Sequence, residues 1–80
     1  MPRIIDEPIG VTVLSGRPAA FVFRGNHRIK EILDRWVEIG ERWNQESEKV
    51  TYRVATDRGG VFEIYYVIVE RKWMLYKVYD

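Results

Sequence analysis

A small antiparallel β-barrel, or a strongly curved sheet of five to six strands, is the fold class that this sequence predicts, with a short helix allowed around residues 34–43. Three observations lead there. Residues 50–80 hold three runs of alternating or continuous apolar character separated by turn residues, the signature of consecutive pleated strands. Ser15-Gly16-Arg17-Pro18, Gly25-Asn26 and Asp57-Arg58-Gly59-Gly60 punctuate the chain at intervals suited to hairpins. Three Trp, five Tyr and three Phe are packed into 80 residues without a single Cys. A domain this short buries only about 60% of the surface its unfolded chain exposes. Bulky rings, and not disulfide staples, must therefore fill its interior.

Taken in order, residues 1–9 read as an irregular lead-in broken by Pro2 and Pro8. Residues 11–14 are a short β-branched run stopped by the turn at 15–18, and 19–24 follow as a strand with Phe21 and Phe23 on one face. Gly25-Asn26 is a two-residue hairpin signal, so His27 begins a returning strand. The next segment has two readings. Ile29, Ile32, Leu33, Trp36 and Val37 follow a helical stripe, which supports one helix over 28–42. A tight hairpin instead requires a strand over 27–33, bulged near Glu31, with a turn or short helical stretch over 34–43. The strand reading is preferred.

Residues 44–48 are polar and acidic and read as a loop. Beyond them Val50, Tyr52 and Val54 alternate with Thr51 and Arg53; a turn at 57–60 leads to a long strand over 61–69; and 70–72 turn the chain into a last strand over 73–79. This three-strand meander is the firmest part of the reading. The 61–69 strand is apolar on both faces apart from Glu63, so it is either central and covered or a surface for self-association, which makes a homodimer an expected form.

The formal net charge of +1 gives no global reason to expect nucleic acid. Its distribution is two-sided: residues 8–30 carry Arg17, Arg24, Arg28 and Lys30 and no acid, whereas 31–48 carry six acids against Arg35 and Arg42. The N-terminal residues lack the apolar core of a secretory leader, and the longest apolar run, 64–69, is far short of a membrane span. With no Cys as well, a cytoplasmic protein without a membrane partner is expected.

No catalytic constellation emerges, so the chain is expected not to be an enzyme and to need no cofactor or metal. His27 is the sole histidine, reads as a surface hairpin residue, and cannot build a multi-histidine metal site within one chain. Ser15 and Ser47 sit in turn or loop sequence without a nucleophile elbow. Gly59-Gly60 lacks the Lys-Ser and helix of a phosphate loop. Glu63, flanked by Phe62 and Ile64, reads as the acid of a structural cross-strand ion pair with Arg53 or Lys77. The residues that best suit binding are Arg24, His27, Arg28 and Lys30 at the hairpin tip, with Phe21, Phe23 or Trp36 as nearby stacking surfaces. Positive charge interleaved with rings is how small β domains hold single strands.

Several blocks carry a resemblance. Arg17-Pro18, Phe21-Val22-Phe23-Arg24-Gly25, Ile32-Leu33-Asp34-Arg35-Trp36, Trp43 and Tyr52-Arg53-Val54 are followed by Gly59-Gly60-Val61-Phe62-Glu63-Ile64-Tyr65 and Trp73-Met74-Leu75-Tyr76-Lys77-Val78-Tyr79-Asp80. Together they resemble the small C-terminal domain of unknown function of ImuB-type bacterial proteins, catalytically inactive relatives of Y-family translesion DNA polymerases, here free-standing. The likeness covers about residues 16–80, and the last two blocks are its most specific parts. It implies an accessory role in DNA repair and damage tolerance, with repair or replication proteins as partners and DNA as a second candidate. The chain has no polymerase-like body, and the resemblance supplies no binding residues.

Overall fold

The computed structural model describes residues 2–39 and 48–79. Six strands form it: β1 Arg3–Leu14, β2 Arg17–Val22, β3 Asn26–Glu38, β4 Lys49–Thr56, β5 Val61–Val67 and β6 Lys72–Tyr79. Each pairs antiparallel with its neighbours in sequence, and β6 returns to β1, so the sheet closes into a barrel. The weakest seam is between β2 and β3, which pair only over Ala20–Val22 and Asn26–Arg28, so β3 beyond Arg28 is laddered to β4 alone among the described residues. No helix occurs among the described residues.

The interior is built in layers that the alternation of β4 sets. Val54 faces Phe62 and, through it, Val78; Tyr52 faces Ile64 and Leu75; Val50 faces Tyr66 and Trp73. Phe21 of β2 joins them, and Phe21, Val54, Ile64 and Leu75 are the largest side chains fully removed from water. Ile5, Ile9, Val11, Ile29 and Ile32 seal this core from the remaining strands.

β3 is a strand where a helical stretch was expected. It runs to Glu38, which removes both the 28–42 helix and the 34–38 part of the shorter one; residues 40–47, and so Trp43, lie outside the described residues. Its register against β4 shifts twice, between Ile29 and Glu31 and between Ile32 and Asp34. Each bulge inserts one unpaired residue, here Lys30 and Leu33. The positions opposite the inward row of β4 are then Ile29, Ile32, Arg35 and Val37, at spacings of three, three and two. Two bulges thus turn a period of two into one near three, which imitates a helical stripe.

The N-terminal lead-in is likewise a strand. Residues Arg3 and Ile4 pair with Val78 and Lys77, and Glu7 to Ile9 pair with Leu75 to Trp73. Asp6, at φ 54°, takes up the irregularity between them. Pro8 lies just before the point where β1 leaves β6 at Ile9 and takes β2 as its partner from Gly10. A proline is tolerated at such a change of partner more readily than in mid-ladder.

Turn chemistry explains the connections. Ser15 and Gly16 both have positive φ, 53° and 75°, the two-residue arrangement that matches strand twist. The β2–β3 loop is Phe23-Arg24-Gly25 and not Gly25-Asn26, because Val22 already pairs with Asn26. Arg24 and Gly25 take the positive φ values of that loop. In the β4–β5 turn the Thr56 N–H donates to the Gly60 carbonyl at 2.9 Å, and the Gly59 N–H to the Thr56 carbonyl at 3.0 Å. A Cβ at Gly60 would lie 2.8 Å from the Phe62 ring. Gly60→Ala is therefore expected to push a core ring and lower stability by about 1–2 kcal/mol, read from urea denaturation.

His27 is a core residue, which corrects the surface reading. It pairs with Phe21, and directly opposed residues of an antiparallel pair share a face, so the imidazole follows Phe21 inward. It stacks on Phe21 at 5.0 Å and meets the edge of Phe62 at 5.1 Å. Its Nε2–H donates to the Phe23 carbonyl at 2.8 Å.

Candidate functional site

The basic hairpin tip is incomplete as a stacking surface. Arg24, Arg28 and Lys30 are exposed, but His27 is buried. Trp36 lies far along β3, paired with Thr51. Phe21 is fully buried, and the half-buried Phe23 ring carries the Arg24 guanidinium at 5.2 Å. The tip does gain a cation that sequence reasoning missed. Arg58, from the β4–β5 turn, brings its guanidinium to 3.4 Å from where a Gly25 Cβ would be. Asp57 is there too, accepting from the Arg28 backbone N–H at 3.4 Å.

Glu63 is on the outer face of β5, yet only 5% exposed. It pairs in register with Arg53 and Lys77, as opposed positions on adjacent strands must. Arg53 Nε approaches Glu63 Oε2 at 3.8 Å, and the Tyr79 hydroxyl donates to the same oxygen. Lys77 turns aside, its ammonium lying 5.5 Å and 5.6 Å from the Tyr76 and Tyr79 ring centres. The Arg53 guanidinium is bracketed by Trp36 and Tyr79 at 5.7 Å and 5.9 Å. Neighbouring side chains thus roof the carboxylate over.

Part of the outer face of β5 is covered by side chains of this chain itself. The Tyr65 hydroxyl donates to Asp6 Oδ1 at 2.8 Å, and the Lys49 ammonium stands 4.5 Å from the Tyr65 ring centre. Trp36 donates its indole N–H to Glu38 at 3.0 Å, and Glu38 also meets Lys49 at 3.4 Å. The indole bond, and more weakly Lys49, hold the Glu38 carboxyl below its ordinary value against the opposing effect of burial. Burial first, then the hydrogen bond to Asp6, push Tyr65 up to about 12. Tyr79 is raised as well, chiefly by its bond to Glu63.

These tyrosines hold their protons more tightly folded than unfolded. The stability they supply is complete below pH 10 and, for Tyr65, is lost as pH climbs from 10 towards 12. Phenolate absorbance of the native protein is expected to show a late-titrating tyrosine that moves to lower pH in Asp6→Ala.

Among the described residues a concave opening, the barrel's mouth, lies near the Ser15-Gly16 turn. One compartment, of about 320 Å³, is lined by Val13, Gly16, Val50, Tyr52, Tyr66 and Trp73. A second, of about 490 Å³, is lined by Ser15, Gly16, Arg17, Ile32, Arg35 and Tyr52. Both volumes fall in the range of ligand pockets. They share Gly16 and Tyr52, so they are two halves of one opening. The apolar half is walled by rings that support each other: Trp73 lies 5.7 Å from Tyr52 and 5.0 Å from Tyr66.

Arg35 stands in the wall of the opening, beyond the point where the β2–β3 ladder ends at Ala20 and Arg28. The second bulge of β3 sets Arg35 opposite the inward-facing Tyr52, where its guanidinium rests 5.8 Å from the ring centre. A long charged side chain at an inward position is not drawn into the core, and Arg35 stays exposed. Around the opening the surface is apolar: Val13, Leu14, Val37, Ile39, Ile68 and Val69 are all exposed, Ile39 and Val69 by 77% and 74%. Among the described residues no three His, Cys, Asp or Glu side chains gather in a way that could hold a metal.

A closed antiparallel barrel with a layered aliphatic and aromatic core, open at one end, defines this chain as a small all-β barrel domain. It belongs to the family described as Domain of unknown function (DUF6504), whose family model matches residues 1–80. No curated protein and no solved structure matches the chain.

Proposed function

We propose that this domain is a non-catalytic interaction module that acts through protein contacts at the barrel mouth, as a cytoplasmic accessory in bacterial DNA repair and damage tolerance. The observation that carries the reading is the apolar rim. Six large aliphatic side chains stay exposed around an aromatic opening, where a monomeric domain would favour polar residues. Rings in a pocket surrounded by apolar contacts are the usual anatomy of a protein-binding centre. The repair setting, with repair or replication proteins as partners, rests on the resemblance of the 59–65 and 73–80 blocks to the ImuB-type C-terminal module. A non-catalytic role is supported by Glu63, which is roofed by Arg53 and Tyr79, and by His27, which is buried between Phe21 and Phe62.

Affinity capture from DNA-damaged bacterial cells tests this reading when three forms are compared. Wild type and Arg24→Glu/Arg28→Glu are expected to enrich replication or repair proteins, and Leu14→Asp/Ile68→Asp to lose them. Enrichment that survives in the Leu14→Asp/Ile68→Asp form, or that contains no such protein, contradicts it. A second reading, single-stranded nucleic acid held by Arg24, Arg28 and Lys30, gains from Arg58 at the same tip. Anisotropy with an oligonucleotide decides it: binding at low salt that weakens steeply as salt rises is required. The rim is also where two copies would meet, and sedimentation across protein concentrations detects that homodimer.

A further inference from the structure

Resting on the docking reading of the mouth, we infer that its occupant is a peptide segment of a partner protein in which an apolar side chain is flanked by carboxylates. The two halves of the opening differ in chemistry. Val13, Val50, Tyr66 and Trp73 make one apolar, while Arg17 and Arg35 stand in the wall of the other; among the described residues no Asp or Glu lines either. These two arginines, like Arg24 and Lys77 among the described residues, differ from three other cations of the barrel. Lys49, Arg53 and Lys72 each lie within 4 Å of a glutamate. Arg17 and Arg35 have no such acid among the described residues.

Arg35 is nevertheless held in place, because its guanidinium rests on the Tyr52 ring that both halves share. A planar guanidinium fixed at the edge of an apolar pocket is suited to a carboxylate, which it grips through two parallel hydrogen bonds. Gly16 lines both halves and has no atom within 4 Å of its Cβ position, so the space beside it is open. A ligand with an apolar body and an adjacent anion fills both compartments at once.

The rim decides between sources of that chemistry. A small carboxylic acid would leave Leu14, Ile39, Ile68 and Val69 uncovered, since they lie around and beyond the lining residues. A single strand of nucleic acid supplies anions, but it needs free ring faces on which to stack. Tyr52, Tyr66 and Trp73 are packed against one another, and the surrounding surface is aliphatic. A polypeptide covers aliphatic surface and brings carboxylates with it.

The test uses the full chain and three fluorescein-labelled probes in anisotropy. One is a short acetylated peptide with a central Phe-Leu pair flanked by Asp residues. The second replaces each Asp with Lys, and the third is an oligothymidylate. The acidic peptide is expected to bind at least about tenfold more tightly than the lysine peptide, a difference of about 1.4 kcal/mol. Arg17→Glu/Arg35→Glu is expected to reverse that order; both side chains are exposed, and far-ultraviolet circular dichroism checks that the barrel persists. Equal binding of the two peptides, an order that the double reversal leaves unchanged, binding of neither, or oligothymidylate binding that the reversal removes, each overturns the inference. The docking reading fails separately, through capture that survives Leu14→Asp/Ile68→Asp.

Discussion

Phe21→Ala is expected to destabilise the domain by about 3–5 kcal/mol, the range for truncating a buried aromatic side chain. Phe21 is 1% exposed and sits where three rings meet: it stacks on His27 at 5.0 Å and meets Phe62 edge-on at 5.1 Å. Truncation removes the ring and leaves a cavity that the closed barrel has little freedom to collapse. It also leaves the imidazole without its stacking partner, in a place where its Nδ1 already lacks a hydrogen bond among the described atoms. Small domains have only about 5–15 kcal/mol of stability in all. Urea denaturation should therefore move to much lower midpoints, and a fraction of the variant should be unfolded at ambient temperature. Phe21→Leu, which retains most of the volume, should recover more than half of the loss.

The second large effect concerns the covered carboxylate on the outer face. Arg53→Met is expected to lower stability by about 2–3 kcal/mol, because it leaves Glu63 under its roof with the Tyr79 hydroxyl as its remaining charge-stabilising contact. The figure falls below that for a fully buried pair because the Arg53 side chain is 39% exposed and solvent screens it. Removing both charges should be milder than removing one. Arg53→Met/Glu63→Leu is expected within about 1 kcal/mol of wild type, since an apolar pair of similar volume needs no desolvation of charge. Thermal or urea denaturation of the two single variants and the double variant closes the cycle. Additive losses would mean that Arg53 and Glu63 act separately.

The sequence made some of this architecture legible and hid the rest for physical reasons. β4 was readable because Val50, Tyr52 and Val54 alternate without interruption, and its ladder to β5 has no register shift. β6 was placed correctly in outline even though its ladder shifts once, between Glu63 and Ile64 of the partner strand, because rings and β-branched residues fill it. β3 was not readable beyond its first half, since two bulges gave its inward positions a spacing near three. The first half of β1 was hidden by Pro2 and Pro8, which mark irregular chain unless the change of strand partner at Ile9 and Gly10 is known. His27 looked like a tip residue because the loop was placed two residues late, and a shift of that size moves a side chain from the core to the turn.

The mouth could not be assembled from the sequence because its residues come from strands whose register depends on those bulges. Gly16 lies in the first turn with Val13 and Arg17 beside it, Arg35 follows the second bulge, and Tyr66 and Trp73 face each other across β5 and β6. One signal was present. Arg35 continues the spacing of Ile29 and Ile32, and a charged residue in the apolar row of a strand points to an opening. Arg58 carried no comparable signal, because its place beside Gly25 depends on how two turns meet at one end of the barrel.

Site-resolved photo-cross-linking in cells bears most directly on the claim that the mouth is the working surface. With a benzophenone amino acid at Leu14, on the apolar rim, a covalent adduct to a replication or repair protein is expected after DNA damage. The same group at Lys30, on the basic hairpin, is expected to give none. Adducts from Lys30 and none from Leu14 would place the contact at the opposite end of the barrel and contradict the claim.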